Sequence, residues 1–376
     1  MSVNFIPVCE PFLAGNEREY VLDAIDTGWI SSAGKYISKF ESSFAEYCCV
    51  KHGIAVCNGT VALHLALTAL GIGKGDEVIV SNFTMIASAF SICYTGAMPV
   101  FIDAEPETWN IDVNKIEEKI THRTKAIMVV HIYGHPCDMD PIIEIAKKHK
   151  LRIIEDAAEV HGATYKGRKC GSLGDIAAFS FFANKIITTG EGGMVLTDDD
   201  ELADNCRYFK NLCFPINGKR NYLHNDIGFN YRMSNVIAAI GLAQTEKFPN
   251  YVEMRKNNNS LYRKYLSGVK GISFQLEKPW AQSAYWMNGI LVNPDKFGLT
   301  RDKLREYLNI NGIDSRLFFT GLNRQPSLQK YGCDCEDDFP ISDTLAANGM
   351  YLPSGSSLLE EQIEFISEII QKASHS

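Results

Sequence analysis

One lysine, Lys185, stands between the apolar run Ser180-Phe181-Phe182-Ala183 and the turn Thr188-Thr189-Gly190-Glu191-Gly192-Gly193. The run reads as the end of a buried strand and the turn cannot be regular structure, so the amine is expected at a strand edge among apolar groups. Desolvation there disfavours the ammonium and lowers its pKa, which makes an amine nucleophilic enough to form Schiff bases. The same setting also suits a structural lysine whose head reaches water. Upstream, the strand-like segment Leu151-Arg152-Ile153-Ile154-Glu155-Asp156-Ala157-Ala158-Glu159 ends in carboxylates. An acid that terminates a buried parallel strand lies at the carboxyl edge of the sheet, where open α/β folds bind ligands. Lysine with aspartate is the pair that pyridoxal 5′-phosphate (PLP) needs, one as its covalent partner and one to keep the pyridinium nitrogen protonated.

A scaffold able to position these groups is legible around them. From about residue 15 to residue 200, short apolar strands alternate with amphipathic helices, the pattern of a mostly parallel α/β sheet. Ile54-Ala55-Val56 is followed by Asn58-Gly59-Thr60 and a helical run over 61–70. That order leaves free backbone N–H groups and a hydroxyl at a helix N-terminus, a phosphate cradle or an ordinary capped turn. His131 and His135 follow the strand at 125–130, as substrate contacts or as packed core groups. Residues 16–25 read as a helix ended by Thr27-Gly28, and Ser38 with Glu41 has capping-box spacing for the start of another. From Ser234 one long helix is expected to Tyr265, then strands at 272–274 and 285–292, a helix at 301–308 and a last helix near 360–373. The expected division is a large α/β domain over 1–240 and a smaller α+β domain over 241–376.

Composition limits the function classes. With 376 residues, 45% hydrophobic and 22% charged, the chain can bury a sizeable core. A formal net charge of −8 argues against a general binder of nucleic acid or acidic membrane, so small-molecule partners are expected. The N-terminal residues show no charged-then-apolar leader, and no apolar run approaches the roughly 20 residues of a membrane span, which points to the cytoplasm. Eleven scattered cysteines suggest reduced thiols, and none combines with histidine at zinc-site spacing, so no metal is expected.

Taken in order, Gly28-Trp29-Ile30-Ser31-Ser32, Asn58-Gly59-Thr60, Val130-His131-Ile132-Tyr133-Gly134, Glu155-Asp156-Ala157-Ala158-Glu159, Gly171-Ser172-Leu173-Gly174-Asp175, the Lys185 segment and Gly228-Phe229-Asn230-Tyr231-Arg232-Met233 carry a resemblance. Over nearly its whole length the chain resembles the DegT/DnrJ/EryC1/StrS sugar aminotransferases. The resemblance implies the aspartate-aminotransferase fold (fold type I), with PLP as cofactor and its amine form, pyridoxamine 5′-phosphate, in the second half-reaction. It is nearest to the perosamine-forming branch. That implies transfer from L-glutamate to C-4 of a nucleotide-linked 4-keto-6-deoxyhexose, GDP-4-keto-6-deoxymannose first, for surface polysaccharide. The dTDP- or UDP-linked 4-keto sugars and a 3-keto sugar remain alternatives.

Residue by residue, the resemblance implies that Lys185 carries the cofactor and moves protons, Asp156 pairs with the pyridine nitrogen, and Glu159 sits beside the ring where many relatives have glutamine. Gly59, Thr60 and Ser180 would hold the phosphate, joined by the partner subunit's Asn230, which makes the site a property of a homodimer or higher oligomer. Met85 stands where many relatives place an aromatic residue on the ring face; its polarizable sulfur can cover a ring less rigidly. Substrate contacts are implied at Trp29, Ser31, His131, Lys219, Arg232 and Arg316. Relatives with histidine in place of the lysine act as dehydratases. Two other classes fit less well: a regulatory protein of this fold would not need Lys185, Asp156 and Thr60 together, and an NAD-dependent epimerase needs a Gly-x-Gly-x-x-Gly turn where this chain has Asn58-Gly59-Thr60.

Overall fold

The computed structural model describes residues 5–216 and 222–374, so Lys219 lies outside the described residues. Seven strands form the main sheet: β1 (His52–Val56), β2 (Glu77–Ser81), β3 (Met98–Ile102), β4 (Thr124–Val130), β5 (Arg152–Asp156), β6 (Ile176–Ser180) and β7 (Gly193–Thr197). Their order is β1-β7-β6-β5-β4-β2-β3. All neighbours are parallel except at β7, which runs antiparallel to both β1 and β6. Strands β2 and β7 are buried along their whole length because helices cover both faces, which is why they read as continuous apolar runs.

Register brings the chemistry to one edge. Val130 lies opposite Asp156, and Asp156 opposite Ala178 two residues before the end of β6. The helix Gly59–Ala69 leaves the same edge after β1, with Asn58 Oδ1 accepting the Val61 N–H at 3.0 Å as its N-cap. The Gly171-Asp175 motif closes the far side: the N–H groups of Gly171, Leu173 and Gly174 all donate to the buried Glu155 carboxylate at 2.7 to 2.8 Å, and so pin the end of β5.

Three expected elements differ. The helix expected to open at Ser38 begins at Lys35, and Ser38 Oγ merely donates back to the Lys35 carbonyl. Its cap comes from afar: Asn235 Oδ1 accepts the Tyr36 N–H at 2.9 Å. The long helix from Ser234 is two helices, Asn235–Glu246 and Phe248–Tyr265, because Pro249, which has no N–H to donate, sits in the first turn of the second. The strand expected from Tyr285 begins at Asn288; Tyr285 adopts φ 48°, outside any strand.

A second sheet, of four strands, follows beyond residue 270: Ile272–Phe274, Asn288–Val292, Gly349–Leu352 and Arg316–Leu317, all antiparallel. Two buried clusters bear on the proposed division at 240/241. The smaller joins this sheet to the helices Arg301–Ile310 and Glu360–Ala373 through Ile290, Leu304, Met350, Ile363 and Ile366, and it takes in Ile6 from the N-terminal segment. The larger surrounds the main sheet and includes Phe248, Trp286, Phe318 and Phe339 from beyond residue 240. No helix among the described residues is long and apolar enough to cross a membrane.

Candidate active site

A cavity of about 610 Å³ opens at the carboxyl edge of β4, β5 and β6, a size suited to a small-molecule ligand. It is lined by Gly59, Thr60, Met85, Asp156, Glu159, Ser180 and Lys185, seven residues singled out in the sequence, and by Thr84, Asn184, Trp286, Phe319 and Tyr351. Segments as far apart in sequence as Gly59 and Lys185 meet here because each follows a strand of the main sheet.

Asp156 is buried, and both of its oxygens are held. Ser88 Oγ donates to Oδ2 at 2.7 Å and the Ala158 N–H donates to Oδ1 at 3.2 Å. Ser88 is in turn 3.1 Å from Thr84 Oγ1, and both are buried. Burial raises the Asp156 pKa; the bond from Ser88 opposes the rise and favours the carboxylate. Glu159 lies beside it, accepting the Tyr133 N–H at 2.9 Å. Burial pushes Glu159 up to about 7, against the pull of Lys185 and of that N–H. For Lys185, burial lowers the pKa, and the charges of Glu159 and Asp156 restore part of it. Its Nζ stands 3.7 Å from the centroid of the Trp286 ring.

The phosphate-cradle geometry rests on a close approach. A Cβ on Gly59 would lie 2.6 Å from Ser180 Cβ and 3.0 Å from Ser180 Oγ, so only glycine lets the Ser180 hydroxyl sit against the start of the Gly59–Ala69 helix. The first N–H groups of a helix have no intrahelical partner and favour an anion. Met85 lines the cavity and is 46% exposed, its sulfur 3.1 Å from the Ala87 nitrogen.

The chain belongs to the DegT/DnrJ/EryC1/StrS aminotransferase family. The family model matches residues 11–371. The chain is 46% identical to the GDP-perosamine synthase of Escherichia coli O157:H7, over 98% of this chain and 99% of that protein. It is 48% identical to the GDP-perosamine synthase of Caulobacter vibrioides, over 96% and 95%. A Streptococcus pneumoniae protein solved in its PLP form superposes with a TM-score of 0.92 at 26% identity, covering 99% of each chain. The fold is accordingly the PLP-dependent aminotransferase fold, the enzyme a sugar aminotransferase, and its cofactor pyridoxal 5′-phosphate. The residues present fit that cofactor: a glycine-cleared helix start with a hydroxyl for a phosphate, a fixed buried carboxylate for a ring nitrogen, and a half-buried lysine between them.

The expected substrate residues lie elsewhere. His131 is fully buried; its Nδ1 accepts the Cys137 N–H at 3.0 Å, which leaves Nε2 to donate to Glu155 at 3.1 Å. Both ring nitrogens are used in the core, so the expectation of a substrate contact there is withdrawn. Trp29 is 58% exposed and, with Ser31, is tied to Asn235 through main-chain oxygens at 2.6 Å. Arg232 donates to Asn211 Oδ1 at 2.7 Å and borders a separate groove with Arg207 and Lys210. Asn230 is exposed and bridges Asn211. Arg316 is exposed, bonded to Asp314 at 2.8 Å, and pairs across the small sheet with Tyr351, which does line the cavity.

Two residues, one that holds Asp156 and one that lines the cavity, carry no motif signal in the sequence. Ser88 is a polar residue in the first turn of the apolar helix Ala87–Tyr94, and that mismatch is its only mark. Trp286 follows a loop with nothing local to announce its contact with Lys185.

Proposed function

We propose that the chain transfers the amino group of L-glutamate to C-4 of GDP-4-keto-6-deoxymannose, giving GDP-perosamine and 2-oxoglutarate. The observation that carries this reading is likeness at 46 and 48% identity, over nearly full length, to two proteins named GDP-perosamine synthase. The cavity chemistry agrees with it.

Bound PLP supplies an electron sink for the carbon that loses or gains a proton, and accepts and returns the amino group. The remaining work falls to side chains. Asp156, held by Ser88 and Ala158, would pair with the ring nitrogen and keep its proton. Lys185, with an amine made less basic by burial, takes the proton from the donor's Cα and later gives one to the sugar's C-4. One residue thus serves both half-reactions. Gly59, Thr60 and Ser180 would hold the phosphate, and Glu159 and Met85 would contact the ring. The partner subunit's Asn230 completes the phosphate site in a homodimer that shares its active sites, working in the cytoplasm. Arg316, Arg232, Lys219, Trp29 and Ser31 serve the nucleotide sugar.

Incubation of the protein with glutamate and a panel of GDP-, dTDP- and UDP-linked 4-keto-6-deoxyhexoses, read by mass spectrometry, tests the substrate. Amination of the GDP sugar well ahead of the others is expected; turnover of a dTDP or UDP sugar alone would replace the reading.

A further inference from the structure

The last turn of the helix Ala87–Tyr94 is met by a chain segment 238 residues downstream. There the Tyr331 hydroxyl donates to the Cys93 carbonyl at 3.0 Å and lies 3.4 Å from the Ala97 carbonyl. Tyr331 ends the short helix Pro326–Tyr331. Gly332 follows at φ 99°, a left-handed turn that glycine adopts without strain, and brings the Cys333 N–H back to the Leu328 carbonyl at 3.1 Å. The crossing sets two thiols against each other, with Cys333 donating a hydrogen bond to Cys93. Cys333 belongs to the large buried cluster, and Cys93 and Cys335 are partly buried against it. The bond from Cys333 holds the Cys93 thiol below its ordinary value, and the same bond holds Cys333 above its own. A cavity of about 530 Å³ opens beside the crossing, lined by Gly96 from one segment and by Gly332 and Asp334 from the other, and brings solvent to it.

We propose that Cys93 and Cys333 are an oxidisable dithiol, a site of reversible disulfide formation with a peroxide as oxidant, which fastens the segment 326–335 to the helix Ala87–Tyr94. Cys93, as thiolate, attacks one peroxide oxygen and expels the other as hydroxide, leaving a sulfenic acid on Cys93. Cys333 Sγ then attacks that sulfur. The S–S bond forms, the S–O bond breaks, and the Cys333 proton leaves with the departing oxygen as water. The two sulfurs together give up two electrons, which the peroxide takes. A thiol reductant reverses the bond by exchange. The link would join the helix that carries Ser88, the partner of Asp156, to the chain that runs on from Phe319 in the cavity wall. Closing so long a loop narrows the unfolded ensemble, so the oxidised protein is the more stable form. Neither step uses Lys185 or the cofactor.

The test uses the full-length, PLP-loaded protein, reduced, freed of reductant and exposed to a few equivalents of hydrogen peroxide. Remaining thiols are blocked with N-ethylmaleimide in denaturant, and peptide mass spectrometry without reduction reads the links. A peptide joining Cys93 to Cys333 is expected, with loss of two of the eleven thiols. The melting temperature should rise by about 5 °C, the scale of a disulfide that closes a long loop, and dithiothreitol should reverse both changes. Cys335→Ser should keep the link and the rise. Cys93→Ser and Cys333→Ser should lose both, with the fold checked by circular dichroism and the alanine variant used where serine does not fold. Folded protein that yields no such peptide, a link to Cys335 in place of Cys333, or Cys93 carried on to the sulfinic acid without a link overturns the proposal. So does a linked protein that melts no higher than the reduced one.

Discussion

The floor and the mouth of the cavity are built in different ways. The floor comes from the main sheet: Gly59, Asp156, Glu159, Ser180 and Lys185 all follow within a few residues of a strand end, and the strand register fixes their separation. The mouth comes from beyond residue 280: Trp286, Phe319 and Tyr351 reach in from a smaller antiparallel sheet and its loops, and Arg316 pairs with Tyr351 on the neighbouring strand. The first arrangement makes a rigid site for chemistry common to any amino sugar. The second is a surface whose shape can change without touching the sheet, which suits the choice of sugar and nucleotide.

That contrast is broken most sharply at the floor. Asp156→Asn keeps the side chain's shape but removes the charge proposed to serve the ring nitrogen; kcat should fall by about a hundredfold or more, on the scale of a lost electrostatic or acid–base group, with the KM for the sugar little changed. Steady-state kinetics decide it, and a fall confined to KM would move Asp156 out of the floor. Gly59→Ala puts a Cβ 2.6 Å from Ser180 Cβ and should weaken retention of PLP about tenfold, measured by dialysis and absorbance.

Glu159 gives a pH signature. Its pKa is raised from 4.5 to about 7 in the folded, cofactor-free protein, so the folded state holds a proton that the unfolded chain has lost between those values. The stabilisation is complete below about 4.5 and is lost as pH rises through about 7. Glu159→Gln does not titrate, so its unfolding free energy relative to wild type should improve from pH 5 to pH 8 by on the order of 2 kcal/mol, after allowance for the opposing pull of Lys185. Denaturant melts at the two pH values measure this, and a constant difference would show that Glu159 is solvated. The smallest effect belongs to the mouth: Arg316→Ala should raise the KM for the nucleotide sugar a few-fold and leave the glutamate half-reaction alone, as loss of one exposed cation does. An equal loss in both half-reactions would erase the distinction between floor and mouth.

The same contrast governs how much was legible beforehand. Lys185, Asp156 and the Asn58-Gly59-Thr60 turn each stand where an apolar run gives way to polar or flexible residues, and that change of pattern is local. His131 also stands at a strand end, but which way a histidine faces there depends on Glu155, its partner across the next strand, and the strand pattern alone does not distinguish cavity from core. The capping-box reading at Ser38 failed for a like reason: Asn235, 199 residues away, caps that helix. Ser88 and Trp286 act through contacts spanning 68 and 102 residues, to Asp156 and to the Asn184 carbonyl, and no window of sequence contains them.

The central claim is that Lys185 and Asp156 in this cavity perform aminotransfer on PLP, and visible absorbance tests it most directly. The PLP-loaded wild-type protein should be yellow and should lose its long-wavelength band on addition of L-glutamate, regaining it with 2-oxoglutarate. Lys185→Ala loaded in the same way should not interconvert. A wild-type protein that binds PLP with no spectral response to glutamate, or a Lys185→Ala variant that interconverts at the wild-type rate, would contradict the account.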